Sequence, residues 1–150
     1  MGPRQTALDR FNRSYSCSQS VLSAYAPRFG LSENLALILA SPFGGGMARQ
    51  GEICGAVSGA LMVIGLACGS TVPSDKEKVY SLAQDFMQRF ETRCGSLLCR
   101  ELTGHDFSKP EEYQAARDQK ITAKVCPGFV NSAAEILAEL IPSLQESETA

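Results

Sequence analysis

Apolar residues recur along much of the chain at intervals of three and four positions, the spacing of helices that bury one face. The segment containing Val21, Leu22, Tyr25 and Phe29 is an example. No segment shows the sustained alternation, rich in β-branched residues, that predicts a half-buried strand. We therefore expect an all-α fold, a single compact bundle of about six or seven helices around a buried central helix.

Capping residues and helix-ending glycines indicate the boundaries of these helices. Ser16–Gln19 and Ser74–Glu77 have the Ser-x-x-Gln/Glu form of a capping box. Cys126 is followed by Pro127, a residue favoured in the first helical turn, so the last helix is expected to begin there. The predicted helices run from about 6 to 12, 17 to 29, 33 to 40, 53 to 67, 75 to 94, 96 to 102, 109 to 120 and 126 to 140.

The central helix is predicted from the uncharged run between Ile53 and Val72. At about 20 residues this run is long enough to span a bilayer. Glycine, serine and threonine dilute it, however, and its strongly apolar part, 60–68, is shorter than a membrane span. We therefore interpret it as a buried helix. Within it, Gly55 and Gly59 are small residues that let a neighbouring helix or a bulky group approach closely.

Composition narrows the class of protein. The chain has 150 residues, of which 44% are hydrophobic, enough for one domain with its own core. No linker or repeat is visible, so we expect one domain over residues 1–150, with an ordered core from about 7 to 140 and a frayed tail from Gln145. A net charge of -2 provides no basic surface for nucleic acid. The first residues lack the apolar segment of a secretory signal, so a cytoplasmic location is expected.

The six cysteines are informative because a reducing cytoplasm disfavours structural disulfides. Cys17, Cys54, Cys99 and Cys126 fall at or near predicted helix starts. Free amide groups and the positive end of the helix dipole favour a thiolate there, so we expect lowered thiol pKa values and nucleophilic or metal-binding sulfurs. Their long intervals match no zinc-finger spacing and no Cys-x-x-Cys occurs, so spacing alone does not establish a shared site.

Cys68 and Cys94 are interpreted differently, as small buried hydrophobes. Cys94 continues the apolar stripe of its own predicted helix. Along an unbroken helix, Cys68 would lie about 21 Å from Cys54, too far to share a metal ion or a disulfide with it.

The residues Cys54–Gly59 read Cys-Gly-Ala-Val-Ser-Gly, and with this C-G-A-x-x-G element the chain resembles the C_GCAxxG_C_C family of redox-active proteins. The segments around Cys17, Cys99 and Cys126 and the glycine loop Phe43–Met47 are similar to that family's other segments, in order, over about residues 7 to 140. The resemblance implies that these are the family's four cysteines and leaves the other two outside the pattern. A related domain in split-Soret cytochromes is associated with an iron–sulfur centre.

We therefore expect a redox protein whose four cysteines converge on one site and which exchanges electrons with a redox partner protein. An iron–sulfur cluster for electron transfer ranks slightly above dithiol–disulfide cycling, because four thiolates match the stoichiometry of a cluster. The alternative is a structural or interaction module whose cysteines bind zinc or stay unligated in the core. In the cluster or dithiol interpretation, Gly55, Ala56 and Gly59 are small enough for the sulfurs or a cluster to fit beside them.

Two further features lie near these cysteines in the sequence. The glycines of Gly44–Gly46 are expected to permit a tight entry into the central helix, with backbone close to the cysteines. They lack the Lys-Ser/Thr that completes a phosphate-binding P-loop. His105 follows Gly104 in a predicted turn and is expected to be solvated, without a chemical role.

Overall fold

A computed structural model describes residues 1–145, and within this range the protein is built from α-helices. The described residues form no strand beyond a single antiparallel bridge between Ile53 and Leu98, so the all-α prediction is confirmed. Short 3-10 turns lie at Ala26–Phe29, Ser41–Phe43, Pro73–Asp75 and Pro142–Leu144. The eight right-handed helices are α1 (Pro3–Asn12), α2 (Cys17–Tyr25), α3 (Glu33–Ala40), α4 (Gly55–Cys68), α5 (Lys76–Cys94), α6 (Cys99–Thr103), α7 (Pro110–Asp118) and α8 (Ile121–Leu140).

Only one of the two predicted capping boxes forms. At the start of α2 the Ser16 hydroxyl accepts a hydrogen bond from the Gln19 backbone N–H at 3.3 Å, and the Gln19 side-chain oxygen accepts one from the Ser16 N–H at 3.2 Å. The box predicted at Ser74 is wrong, because a 3-10 turn beginning at Pro73 precedes α5. Asp75 is the residue before that helix, and its carboxylate accepts a hydrogen bond from the Ser70 hydroxyl at 2.8 Å instead.

The last helix begins earlier than predicted. Helix α8 starts at Ile121 and continues through Pro127, so Cys126 lies in its second turn and not at its start. A proline inside a helix removes one backbone hydrogen bond, here to the carbonyl of Ala123, and crowds that carbonyl with its ring, which can kink a helix without ending it. The five residues before Cys126 therefore stay helical, and the placement of this cysteine at a helix amino terminus is wrong.

The core is formed where α2, α4, α5 and α8 pack together, around the fully buried rings of Tyr25, Phe86 and Phe90. The first half of α4 is buried, whereas Gly65 and Cys68 near its end are exposed. The expected central helix is thus buried over its amino-terminal part, the part that faces the cysteines.

The remaining expectations about organisation have two outcomes. No helix among the described residues is both long enough and apolar enough to cross a bilayer. The predicted frayed tail falls almost entirely on residues 146–150, which lie outside the described residues.

Candidate functional site

Four of the six cysteines line one cavity with a volume of about 710 Å³. Cys17 is the first residue of α2, Cys54 immediately precedes α4, Cys99 is the first residue of α6, and Cys126 lies in α8. Their segments are far apart in sequence, so only the tertiary fold brings them to this cavity.

The other two cysteines lie elsewhere. Cys94 is half-buried and packs against the main core, close to its interpretation as a small hydrophobe. Cys68 is exposed, so its interpretation as a buried hydrophobe is wrong. The reason is that α4 reaches the surface at its carboxyl end, where Gly65 is exposed as well.

A short antiparallel contact holds Cys54 and Cys99 beside each other. The backbone N–H of Cys54 donates to the carbonyl of Leu97 at 2.8 Å, and the N–H of Cys99 donates to the carbonyl of Glu52 at 2.7 Å. Ile53 lies opposite Leu98 in this contact. Successive side chains along each segment point to opposite faces, so Cys54 and Cys99, each one residue further on, lie on the same face. The contact is too short to leave a strand pattern in the sequence.

The glycine loop before these residues takes a left-handed path. Gly45, Gly46, Met47, Ala48 and Arg49 all have positive φ, between 53° and 67°. A Cβ on Gly46 would lie 2.7 Å from the Cβ of Cys99 and 2.8 Å from the backbone nitrogen and oxygen of Glu52. As expected, the glycine loop brings its backbone against the cysteine site. Because Gly46 has no side chain, the side chain of Cys99 can occupy the space beside it.

The glycines of the C-G-A-x-x-G element accommodate helix α2. A Cβ on Gly55 would lie 2.9 Å from the backbone nitrogen of Ser18 and 3.2 Å from the Cβ of Cys17. A Cβ on Gly59 would lie 2.9 Å from the Ser18 carbonyl oxygen. Ala56 between them is fully buried in the core. The element therefore sets the close crossing of α4 and α2 and, through it, the position of Cys17 relative to Cys54.

The side chains of Cys17 and Cys126 lie in the same cavity, and the two thiols interact with each other. This interaction lowers the pKa of the Cys126 thiol, against the opposing effect of burial. It is also the largest cause that raises the pKa of Cys17 well above its usual value, followed by burial and by repulsion from the other three sulfurs. The two thiols therefore titrate in sequence, with Cys126 the first to lose its proton and Cys17 the one that retains it to higher pH.

The other two thiols resist ionisation. Burial raises the pKa of Cys54 to about 12, although backbone N–H groups at the start of α4 donate hydrogen bonds that lower it. Burial raises the pKa of Cys99 to about 11, and repulsion from Cys126 adds to this effect. Lowered pKa values were expected at these helix starts. That expectation is wrong for Cys17, Cys54 and Cys99, because lost hydration and neighbouring sulfurs outweigh the helix-end effect.

A single metal ion would need several of these thiols close around one point. Thiolates that share one zinc ion lie about 3.8 Å apart, which follows from a Zn–S distance of about 2.3 Å and tetrahedral geometry. In the part of the chain that is described, no group of three or more Cys, His, Asp or Glu side chains is arranged to hold a metal ion. This observation concerns one ion. The thiolates of an iron–sulfur cluster bind separate irons and lie farther apart.

Two residues of the cavity wall, Tyr113 and Arg117, were not predicted from the sequence. Arg49 and Arg117 line the cavity with Tyr113, and their guanidinium carbons lie 4.5 Å and 5.8 Å from the centre of its ring. The i, i+4 spacing of Tyr113 and Arg117 in α7 is a signal that could have paired them. His105 is half-buried, with its Nδ1 atom 3.0 Å from the Thr103 carbonyl oxygen, and it does not line the cavity.

The fold and the cavity define a helical protein with several thiols at one internal site. The model of the family described as "Putative redox-active protein (C_GCAxxG_C_C)" matches residues 15–140, and the chain therefore belongs to this family. No match to the chain is found among curated proteins or among solved structures. The family name writes the central motif with glycine before cysteine, whereas here Cys54 precedes Gly55.

Proposed function

We propose that the protein is a thiol redox protein in which Cys17 and Cys126 cycle between a dithiol and a disulfide. The interaction between these two thiols, inside a cavity that a small molecule can fill, is the observation that supports the proposal most strongly. A disulfide forms only between cysteines that are already close and suitably oriented. Two thiols that interact within one cavity meet the first of these conditions without a change of fold.

The two pKa shifts assign different roles to the pair. Cys126, with its lowered pKa, attacks one sulfur of a disulfide substrate as a thiolate. The substrate's S–S bond breaks, a mixed disulfide with Cys126 forms, and the departing substrate thiolate takes a proton from water. Attack by the thiolate and not the thiol is the general requirement of this exchange.

Cys17 then completes the reaction. Once the Cys126 sulfur is bonded to substrate it carries no negative charge, so the largest cause of the raised pKa at Cys17 is removed. The Cys17 thiol loses its proton and attacks the Cys126 sulfur, which releases the second half of the substrate as a thiol. In total, the protein dithiol and one substrate disulfide give a protein disulfide and two substrate thiols, so two electrons and two protons are transferred.

A cluster is the second candidate function. It is supported by the placement of four cysteines around one cavity, the number of thiolates that commonly ligate an iron–sulfur cluster. In this case Cys17, Cys54, Cys99 and Cys126 would be the ligands, and the cluster would supply one-electron transfer to a redox partner. The high pKa values of Cys54 and Cys99 would then have to be overcome by the positive charge of the irons.

A redox titration separates the two candidates from each other. The protein, purified without oxygen, is equilibrated in mixtures of reduced and oxidised dithiothreitol, and the reduced thiols are counted by mass after alkylation. Dithiol cycling predicts one two-electron transition, changing tenfold in about 30 mV. It should be lost in Cys17→Ala and Cys126→Ala and retained in the exposed-cysteine control Cys68→Ala. A transition that survives Cys17→Ala contradicts the proposal.

The same preparation tests the cluster and the zinc alternative. A brown protein with bound iron and sulfide, both lost in Cys54→Ser and kept in Cys68→Ser, would support the cluster. One zinc per chain in a colourless protein would support the structural module instead. A colourless preparation without iron or zinc, together with the two-electron transition, is the result that dithiol cycling predicts.

A further inference from the structure

The cavity that holds the four thiols has an unusual charge for this protein. Among residues 1–145, Arg49 and Arg117 are the only charged side chains that line it, and no Asp, Glu, Lys or His contributes to its wall. The chain as a whole has a net charge of -2. The interior of this cavity is therefore positive in a protein that is otherwise slightly acidic, which favours negatively charged ligands there.

The two guanidinium groups are not neutralised by the protein. Within residues 1–145 neither forms a salt bridge to a carboxylate, and each instead stands over the ring of Tyr113. Four other arginines in the same range do form such salt bridges. They are Arg10, Arg89, Arg93 and Arg100. Two guanidinium groups that contact the same aromatic ring and pair with no carboxylate keep their hydrogen-bond donors available for an anion.

The arginines and the thiols lie at different depths. Arg49 and Arg117 are exposed residues, whereas Cys54, Cys99 and Cys126 are buried. A ligand with its charged groups at the arginines and its sulfur atoms at the thiols would therefore extend inward from solvent. The cavity volume of about 710 Å³ lies within the usual range for small-molecule sites, roughly 300–1,000 Å³.

We propose that the cavity binds a small anionic disulfide or thiol, with its carboxylate groups at Arg49 and Arg117 and its sulfur at Cys126. The chemistry rests on the dithiol cycle proposed above, and the reaction is the same exchange: substrate disulfide to two thiols as the protein dithiol becomes a disulfide. Guanidinium groups match carboxylates through paired hydrogen bonds, so they select the anion and repel a cationic analogue.

Three small disulfides with the same spacing between their ends test this selectivity. They are 3,3′-dithiodipropionate, which is anionic, bis(2-hydroxyethyl) disulfide, which is neutral, and cystamine, which is cationic. The rate at which each oxidises the reduced protein is divided by its rate with dithiothreitol, to remove differences in intrinsic reactivity. The anionic compound should be the fastest and the cationic one the slowest, and the difference should shrink as salt is added.

Charge-removing variants identify the groups responsible. In the double variant Arg49→Gln/Arg117→Gln the preference for the anion should fall about tenfold, or about threefold for each charge. Arg28→Gln/Lys78→Gln is the matched control, because it removes two positive charges from exposed positions outside the cavity. Arg117→Gln alone, in the regular helix α7, remains interpretable should the left-handed loop tolerate no change at Arg49. An undiminished preference for the anion in both Arg49→Gln/Arg117→Gln and Arg117→Gln overturns the inference.

A second readout separates this inference from the dithiol cycle. Suberate has the length and charges of 3,3′-dithiodipropionate but no sulfur, and its binding can be followed by NMR shifts at Arg49, Tyr113 and Arg117. Suberate binding that is lost in the double variant supports the anion site, even if none of the disulfides oxidises the protein. A failure of every disulfide to oxidise the protein would contradict only the dithiol cycle. The inference is overturned if suberate does not bind and the protein shows no preference among the disulfides. It is also overturned if polyglutamate binds and suberate does not, which would indicate an acidic protein partner.

Discussion

The thiols of Cys17 and Cys126 interact within one cavity, although the two residues lie near opposite ends of the sequence. Helix α2 carries the first and helix α8 the second, and both face the same cavity. This contact is the largest cause that lowers the pKa of Cys126 and raises that of Cys17. It makes one cysteine a nucleophile and leaves its neighbour protonated until a bond to the first sulfur has formed.

Removal of Cys17 should make Cys126 less reactive. In Cys17→Ala the thiolate form of Cys126 loses the interaction with Cys17 that stabilises it, while the residue stays buried. The pKa of Cys126 should therefore rise, and its alkylation by iodoacetamide should shift to higher pH. Peptide mass analysis across a pH series measures this shift. Cys94→Ala is the control, since Cys94 lies outside the cavity. An unchanged pH profile for Cys126 in Cys17→Ala would contradict the interaction between the two thiols.

Alanine at Gly46 should destabilise the fold and distort the thiol site. Gly46 has a φ of +65°, and a Cβ there would lie 2.7 Å from the Cβ of Cys99. The left-handed conformation costs a side chain about 1–2 kcal/mol, and overpacking adds about 1–3 kcal/mol. Chemical denaturation should therefore give a loss of roughly 3 kcal/mol.

The matched control for that substitution is Gly30→Ala. Gly30 has a φ of +84°, and no atom lies within 4 Å of the position that a Cβ would take, so only the conformational cost applies. We expect a loss of about 1–2 kcal/mol there. Equal losses for the two variants would show that the close approach to Cys99 has no energetic consequence.

Two glycines of helix α4 should respond to alanine with opposite signs. A Cβ on Gly59 would lie 2.9 Å from the Ser18 carbonyl oxygen, so Gly59→Ala should separate α4 from α2 and cost about 1–3 kcal/mol. Gly65 is exposed in the same helix with nothing within 4 Å, so Gly65→Ala should stabilise by roughly 0.5–1 kcal/mol. Thermal unfolding of both variants measures the difference, and a stabilising Gly59→Ala would refute the close helix crossing.

Alkaline pH should destabilise the protein through its buried thiols. The pKa values of Cys54 and Cys99 are raised to about 12 and about 11 in the folded state, from 9.0 for an ordinary thiol. The folded protein thus holds these protons more tightly than the unfolded chain. Their contribution is complete below pH 9 and is lost as the pH rises through 11 and 12, by up to about 1.4 kcal/mol per pH unit for each thiol.

Cysteine variants isolate this effect from other groups that titrate at high pH. The dependence of unfolding free energy on pH, measured with reductant between pH 8.5 and 11, should be shallower in Cys54→Ala than in the unmodified protein. Cys68→Ala removes an exposed thiol and should leave the slope unchanged. A slope that is the same in both variants would mean that Cys54 is not held neutral by burial.

Much of the helical framework could be predicted because its signals are local. Ser16 caps α2 as its sequence predicts, and Gly95 ends α5 in the left-handed conformation. The failures have equally local causes. Pro127 favours a helix start in the sequence, but a helix tolerates an internal proline when the lost hydrogen bond is only one of many.

The acidity of the thiols could not be predicted, because it depends on tertiary neighbours. The sequence places Cys54 at a helix start, which is correct, yet burial determines its pKa. The lowered pKa of Cys126 comes from Cys17, a residue no local pattern connects to it. Arg117 was missed for the same reason, since its relation to the cysteines exists only in the folded cavity.

Disulfide mapping of the oxidised protein tests the central claim most directly. The reduced protein is treated with one equivalent of a small disulfide, and the remaining thiols are blocked at low pH. Cross-linked peptides are then identified by mass spectrometry without reduction. We expect one major cross-link, between Cys17 and Cys126, with Cys54 and Cys99 recovered as blocked thiols. A cross-link between Cys54 and Cys99, with Cys17 and Cys126 both recovered as blocked thiols, would contradict the account.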